Sequence, residues 1–144
     1  MDSKQYLTTL FGFDGQIAVV IGGTGVLGGA LCDGLAQAGA TVVVAGRSEE
    51  RGAERVAAIE ALGGKAVFLS VEADNRESVT QLKEQVLRQF GQVDCLINGA
   101  GVNAATPYEK IPDDEWHKFV NSSLLTTHLG CQSFAHVMAA PSDG

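Results

Sequence analysis

Cysteine, basic residues and long apolar runs are all scarce in this chain, and each shortage excludes a class of protein. The three cysteines, Cys32, Cys95 and Cys131, are odd in number and lack a CxxC spacing. We therefore expect buried, reduced thiols and neither a disulfide framework nor a metal site. Ten Lys and Arg residues against 17 Asp and Glu residues give a formal charge of −7. That balance leaves no basic stripe for nucleic acid or an anionic membrane surface.

We also predict no membrane-spanning or targeting segment. No apolar run is long enough to cross a bilayer, and 1–13 has neither a basic start nor the apolar stretch of a signal peptide. We expect a cytoplasmic protein. The 144 residues, 45% hydrophobic and 6% aromatic, fit a single domain spanning 1–144 with an ordinary packed core.

A glycine-rich turn follows the first apolar run. Three glycines, Gly22, Gly25 and Gly28, follow Ala18–Ile21 at three-residue spacing and lead into a segment of helical period. Glycines at such a turn let the backbone approach a phosphate, and the free N–H groups of the helix start face it. The turn predicts a dinucleotide pyrophosphate site; the alternative is a tight turn without a ligand. The predicted contacts are Gly22, Thr24, Gly25, Val26, Leu27 and Gly28.

Short β-branched runs alternate with helical segments along the chain, which favours a parallel sheet covered on both faces. The predicted strands are Gln16–Ile21, Thr41–Ala45, Ala66–Val71 and Val93–Asn98. The predicted helices are Leu27–Ala38, Glu49–Leu62, Arg76–Phe90 and Asp113–Met138. Right-handed crossovers give strand order 3-2-1-4 in an α/β, Rossmann-type doubly wound sheet, with the ligand at the reversal between strands 1 and 4.

Small residues stand at the end of the fourth predicted strand, in the run Asn98, Gly99, Ala100 and Gly101. They allow the ribose on the nicotinamide side to pass close to the backbone, and the amide of Asn98 can tie neighbouring strands together. The alternative is a small-residue loop that ends a buried strand.

Together these residues resemble the N-terminal half of a short-chain dehydrogenase/reductase of the classical type. The resemblance rests on the glycine turn, on Asp94, on Asn98–Gly101 and on Asp114–Trp116. Val26 stands where the classical pattern has a glycine, and the string from Gly22 to Gly28 is similar to that of the fructuronate reductases. The resemblance implies hydride transfer between NADP(H) and a small carbonyl or alcohol substrate, in a homo-oligomer.

The catalytic Ser and Tyr-x-x-x-Lys of that family have no counterpart here, so no catalytic residue and no metal ligand is assigned. The chain ends at 139–144, where the resemblance places strand 5. We therefore expect a truncated reductase that is inactive by itself. The alternative is a catalytically silent NADP-binding or assembly module.

The residues after strand 2 bear on the cofactor. Gly46 stands where an acidic residue would accept hydrogen bonds from a free adenosine ribose, and Arg47 with Ser48 can neutralise a 2′-phosphate. This favours NADP(H), with NAD(H) still possible; Arg47 as a solvated turn residue is the alternative.

Two further positions follow from the family register. It places Glu72 and Ala73 beside the adenine, with Asp74 close by, and either carboxylate or neither could serve. The family's water-holding Asn falls on Ser123, and in a regular helix Asn121 would point to the opposite face. Ser123 can hold a water more weakly, or it is a small packing residue.

Overall fold

The computed structural model describes residues 2–139, and they form a four-stranded sheet with helices on both faces. The strands are β1 (Ile17–Ile21), β2 (Thr41–Gly46), β3 (Lys65–Ser70) and β4 (Cys95–Asn98). The helices are α1 (Ser3–Phe11), α2 (Val26–Gln37), α3 (Glu49–Ala61), α4 (Arg76–Phe90), α5 (Asp113–Val120) and α6 (Thr126–Ala139). A short 3-10 turn, Tyr108–Lys110, precedes α5.

The sheet is parallel with the order β3-β2-β1-β4, which confirms the predicted topology. Ile21 pairs with Ala45 on one side and with Asn98 on the other, so the ends of the three strands are level. Alternate residues of β1 face opposite layers. Val19 packs with Phe134 of α6 and with residues of α4, and Val20 packs with Cys32 and with residues of α2 and α3. The core therefore lies on both faces of the strands, as a doubly wound sheet requires.

The helices begin and end close to the positions that the sequence predicts, and capping residues account for this. Gly39 and Gly91 adopt positive φ angles of 104° and 77° after α2 and α4, a conformation that glycine adopts without strain. The side chain of Ser48 caps α3 and that of Asn75 caps α4. β4 begins two residues later than predicted. The carboxylate of Asp94 accepts the Ile17 N–H at 2.7 Å, which occupies a donor that a longer strand would use.

Two features correct the sequence-based expectations. Helix α1 was not predicted, and its apolar side chains are largely exposed, with Phe11 at 68%. The predicted single helix 113–138 is interrupted by a π-helical turn, Asn121–Leu125. The expected start of strand 5 lies in 140–144, outside the described residues. No helix within 2–139 has the length and apolarity needed to cross a membrane.

The prediction that all three cysteines are buried is wrong for two of them. Cys32 is buried, whereas Cys95 is half-buried and Cys131 is exposed. Cys131 is exposed although its Sγ lies 3.4 Å from Asn98 Nδ2 at the end of β4. All three are free thiols.

Candidate functional site

The carboxyl ends of the strands border a cleft that contains most of the predicted contacts. It consists of two adjoining cavities of about 270 and about 600 Å³, which share Arg47, Ala73, Ala100 and Gly101. The smaller cavity lies where the connections of β1 and β4 leave the sheet in opposite directions. In doubly wound sheets, ligands bind where the order of the strands reverses in this way. The smaller cavity is also lined by Ile21, Gly22, Thr24, Gly25, Gly46, Arg51, Val71 and Gly99.

The glycine turn is packed against the end of β4. Gly22 has a φ angle of 90°, and a Cβ atom there would lie 2.6 Å from the carbonyl carbon of Gly99. A Cβ atom on Gly28 would overlap the carbonyl oxygen of Gly22. These positions require glycine because two backbone segments touch there.

The start of α2 leaves backbone donors free. Gly25 caps the helix without a side-chain bond, and the Gly29 N–H donates to the Gly25 carbonyl oxygen at 2.8 Å. Within the described residues, the N–H groups of Val26, Leu27 and Gly28 have no acceptor. The side chains of Val26 and Leu27 are exposed, and Gly28 is buried beneath the turn. Such donors, with the positive end of the helix dipole, suit an anion.

Two arginines flank the cleft at the end of β2. Arg47 lines both cavities, and Arg51, from the first turn of α3, lines the smaller one. Ser48 does not line either cavity. Its hydroxyl accepts the Arg51 N–H at 3.3 Å and so caps α3. Arg51 was not among the predicted contacts, although its position three residues after a Ser cap places it in a helical first turn next to Arg47.

On the β3 side, the structure separates the two acidic candidates. Ala73 and Asp74 line the larger cavity. Glu72 lines neither cavity; it is exposed, and its backbone N–H donates to the Ser78 hydroxyl at 2.9 Å. Asp74 is therefore the carboxylate that faces the cleft.

Asn98 does not tie neighbouring strands together, contrary to the sequence-based expectation. Its backbone pairs with Ile21 in the sheet, and its side-chain Nδ2 contacts Cys131 Sγ of α6 at 3.4 Å. The side chain turns towards α6 because Gly130 leaves room there. The three residues that follow, Gly99, Ala100 and Gly101, line the cleft.

The π-helical turn reorients residues on the far wall. Asn121 and Ser122 line the larger cavity together with Thr126. Asn121 and Ser123 face different ways, as predicted, but Asn121 and not Ser123 is the residue that lines the cavity. Ser123 is exposed and lines neither cavity; a Cβ atom on Gly101 would lie 3.6 Å from its hydroxyl. Ser122 Oγ instead accepts the Val102 N–H at 3.3 Å and attaches the loop after β4 to the helix.

Polar side chains on α5 complete the larger cavity, and none of them was among the predicted contacts. Asp114, His117 and Lys118 lie on one face at helical spacing, opposite Arg47 and Asp74. That spacing was readable in the sequence, but only packing shows which face meets the cleft.

The described residues contain no cluster of three or more His, Cys, Asp and Glu side chains suited to a metal ion. Burial raises the pKa of the Cys32 thiol to about 11, and burial with the neighbouring Asp94 carboxylate raises the pKa of Cys95. Neither thiol lines the cleft. The groups that the cleft offers to an anion are therefore the guanidinium groups of Arg47 and Arg51 and the backbone of the glycine turn.

Comparison with known proteins identifies the family of the chain. The family model described as short chain dehydrogenase matches residues 16–144. A 3beta-hydroxysteroid dehydrogenase of Mediterraneibacter gnavus is 37% identical over 133 residues, covering 92% of this chain and 48% of that protein. UxuB of Bacillus subtilis, described as an uncharacterized oxidoreductase, is 44% identical over 89 residues, which cover 62% of this chain and 32% of that protein.

Solved structures agree with the fold. A dehydrogenase/reductase from Sinorhizobium meliloti superposes with a TM-score of 0.86 at 25% identity, over 93% of this chain and 54% of that one. A metagenomic short-chain oxidoreductase in complex with NADP gives a TM-score of 0.79 at 29% identity, over 88% of this chain and 57% of that one. The chain spans about half the length of the curated relatives it matches over most of its residues.

Proposed function

The chain belongs to the short-chain dehydrogenase family, whose members similar to it are oxidoreductases, and we propose that it supplies the cofactor-binding part of an NAD(P)-dependent oxidoreductase. The reaction would be hydride transfer between NADP(H) and a small carbonyl or alcohol substrate. The single observation that carries the proposal is the start of α2. Three backbone N–H groups without an acceptor among the described residues follow directly after Gly22, Thr24 and Gly25, which line the cleft at the reversal of the sheet.

The same geometry supports a direction for the bound dinucleotide. The pyrophosphate would lie over Gly22, Thr24, Gly25 and the first turn of α2. The adenine would extend towards Ala73 and Asp74, and the nicotinamide ribose towards Gly99, Ala100 and Gly101. The proposed cofactor contacts are therefore the predicted residues that line the cleft, together with the first turn of α2, with Asp74 in place of Glu72 and with Arg51 added to Arg47.

We further propose that NADP(H) is preferred to NAD(H). Arg47 and Arg51 border the cleft at the end of β2, and the residue that would hold a free ribose hydroxyl is Gly46, which has no side chain. Two guanidinium groups favour a phosphate, and no carboxylate is present at that position to repel it. Ser48 contributes to this site by capping the helix that carries Arg51.

The chemistry at the substrate carbonyl needs a proton donor in addition to the hydride donor, and such a group contributes about 10²- to 10⁴-fold to the rate. The sequence assigns no residue to this task, so we propose that the 144 residues alone are inactive.

The three unpaired cysteines support a reducing, cytoplasmic setting.

Calorimetric titration of the protein with NADPH and NADH tests the proposal. We expect both cofactors to bind, NADPH more tightly, with one site per chain. A stopped assay for hydride transfer from NADPH to a panel of small ketones then tests the reaction in the protein that carries this chain. Absence of binding by either cofactor would refute the proposed function.

A further inference from the structure

Helix α1 carries an apolar face that the other described residues leave uncovered. Its four large apolar side chains, Tyr6, Leu7, Leu10 and Phe11, are between 54% and 68% exposed. Helical rotation places them within an arc of about 140°, with Leu7 and Leu10 at its centre. The helix lies before residue 16, where the match to the family model begins, so the family's fold does not account for this face.

Phe13 fixes the position of α1 on the domain. Its N–H donates to the Ala38 carbonyl oxygen at 2.7 Å, and its side chain packs against the core on the α2 and α3 side of the sheet. Ala38 lies just before β2, at the amino ends of the strands, whereas the cleft lies at their carboxyl ends. The apolar face of α1 is therefore at the opposite end of the sheet from the proposed cofactor contacts.

Open space adjoins this face. A cavity of about 340 Å³ is lined by Leu7 and Phe11 of α1 and by Gln37 and Gly39 at the end of α2. Gln37 and Gly39 also border a second cavity of about 480 Å³, which includes the 73% exposed side chain of Leu62. The uncovered apolar surface thus continues from α1, past the end of α2, to the end of α3.

The size of this surface suits the pairing of two chains. A large side chain at half exposure offers roughly 100 Å², so the four side chains of α1 offer roughly 400 Å². Patches of that size, about 300 to 600 Å², are the largest on typical monomers and are often functional. Specific interfaces bury about 800 Å² per partner, so the cavity walls and Leu62 have to supply the remainder.

The order of residues on α1 favours a second copy of the chain as the partner. The run 6–11 reads aromatic, Leu, Thr, Thr, Leu, aromatic in both directions. Two such helices, packed antiparallel about a two-fold axis at the level of positions 8 and 9, bring Leu7 of each chain against Leu10 of the other. The same axis brings Tyr6 of each chain against Phe11 of the other. Such self-complementarity is what an isologous interface requires.

A lipid surface is a poorer match for the same face. Helices that lie in a membrane interface are rich in Lys and Arg on their polar side, whereas α1 contains a single Lys and the chain has a formal charge of −7.

We propose that α1 is a dimerisation element, which pairs antiparallel with α1 of a second copy through Tyr6, Leu7, Leu10 and Phe11. The contact includes neither the cleft nor the free edge of β4, so it forms in addition to any pairing of that edge. The inference goes beyond the proposed function and does not depend on it.

Disulfide trapping tests both the pairing and its direction. A Leu7→Cys protein and a Leu10→Cys protein, each with Cys131→Ser to remove the exposed thiol, are treated with a mild oxidant separately and as an equal mixture. Positions 7 and 10 face each other across the axis, whereas the two copies of either position are offset by about 4.5 Å along the helices. Because Cα atoms more than about 7 Å apart cannot be bridged, covalent dimers should form at least about fivefold faster in the mixture. Equal rates, or faster trapping of the separate proteins, would contradict the antiparallel pair.

A charge on the apolar face provides a matched comparison with the same readout, which reports this contact alone. Phe11→Lys in both cysteine proteins places an ammonium group against Tyr6 of the other chain, and Gln5→Lys adds the same charge on the opposite face of α1. We expect Phe11→Lys to slow trapping at least about tenfold, because pairing would bury the charge, and Gln5→Lys to leave the rate within about twofold. Far-UV circular dichroism checks that both variants remain folded. Equal trapping rates for the two lysine variants would overturn the inference.

Discussion

The Cα atom of Gly130 lies directly against the buried Oδ1 atom of Asn98, so that α6 and the end of β4 are in contact through a glycine and an amide. A Cβ atom at Gly130 would overlap Oδ1 and lie 3.0 Å from Asn98 Cγ. Among the described residues Oδ1 has no hydrogen-bond donor, while Nδ2 contacts Cys131 Sγ at 3.4 Å. This contact fixes how closely α6 approaches the edge strand of the sheet.

Substitution Gly130→Ala should therefore destabilise the protein. Alanine is normally favoured over glycine within a helix, but here the added methyl group forces Asn98 to move, at a cost of about 1–3 kcal/mol in the free energy of unfolding. Urea denaturation measures the change. Asn98→Ala in the Gly130→Ala background should recover part of the loss, and simple additivity of the two substitutions would contradict the contact.

Arg47→Asp should weaken NADPH binding by roughly 1–3 kcal/mol, because a charge-assisted contact with the 2′-phosphate is replaced by repulsion. NADH binding should change much less, since NADH has no 2′-phosphate. Calorimetric titration gives both constants. Arg88→Asp, an exposed change of the same charge on α4, is the control for net charge. Equal binding of both cofactors by the unaltered protein would mean that Arg47 is a solvated turn residue.

Two glycines of α2 should respond in opposite ways to alanine. Gly28→Ala places a methyl group on the Gly22 carbonyl oxygen, so both stability and cofactor binding should decrease. At Gly34 a Cβ atom would meet no atom within 4 Å, and Gly34→Ala should raise the free energy of unfolding by about 0.5–1 kcal/mol through helix propensity. Thermal melts with and without NADPH compare the pair. Normal stability with lost binding in Gly28→Ala would indicate a role in ligand contact alone.

The thiols should differ in reactivity. Cys131 is exposed, whereas Cys32 is buried with its pKa raised to about 11 and remains protonated at pH 8. Ellman's reagent at pH 8 should modify Cys131 rapidly in the folded protein and Cys32 only after unfolding. Cys131→Ser should remove the fast phase. A fast phase that persists in this variant would place an accessible thiolate elsewhere.

The pH dependence of stability follows from the same shift. Between pH 9 and 11 the unfolded chain releases the Cys32 proton and the folded chain retains it, so the unfolded state binds fewer protons and the free energy of unfolding falls as pH rises. Unfolding curves should show a shallower fall in Cys32→Ala than in the unaltered protein. The comparison cancels the contribution of the lysines and tyrosines.

The chain by itself should form oligomers. In the described sheet β4 pairs only with β1, and its residues are half-buried, so its free edge offers unpaired backbone groups to another strand. Trp116 and Leu124, at 53% and 67% exposure, add apolar surface on α5 and the turn that follows. Light scattering after size exclusion at micromolar concentration should give a mass above 15.0 kDa. A folded monomer of that mass would show that the edge is protected.

The parts of the fold that follow from local pattern were predictable. Apolar runs with β-branched residues identified all four strands, and glycines with suitable flanks, such as Gly39 and Gly91, marked the helix ends. Strand order followed from the handedness of crossovers, which is a general rule of parallel sheets. Helix α1 was not predicted because its apolar residues are largely exposed, so the sequence carries no pattern of buried positions there.

The sequence by itself determined the parallel sheet, the glycine turn and the basic end of β2, because each depends on residue type and spacing along a short stretch. Only the tertiary structure decided that Asp74 and not Glu72 faces the cleft, that Arg51 joins Arg47, and that Asn98 turns to α6. It also decided that Thr24 occupies the space beside Gly46. These relationships depend on atoms that approach each other only when separate strands and helices pack. In addition, the rotation per residue in the π-helical turn Asn121–Leu125 differs from that of a regular α-helix, which a prediction from sequence must assume.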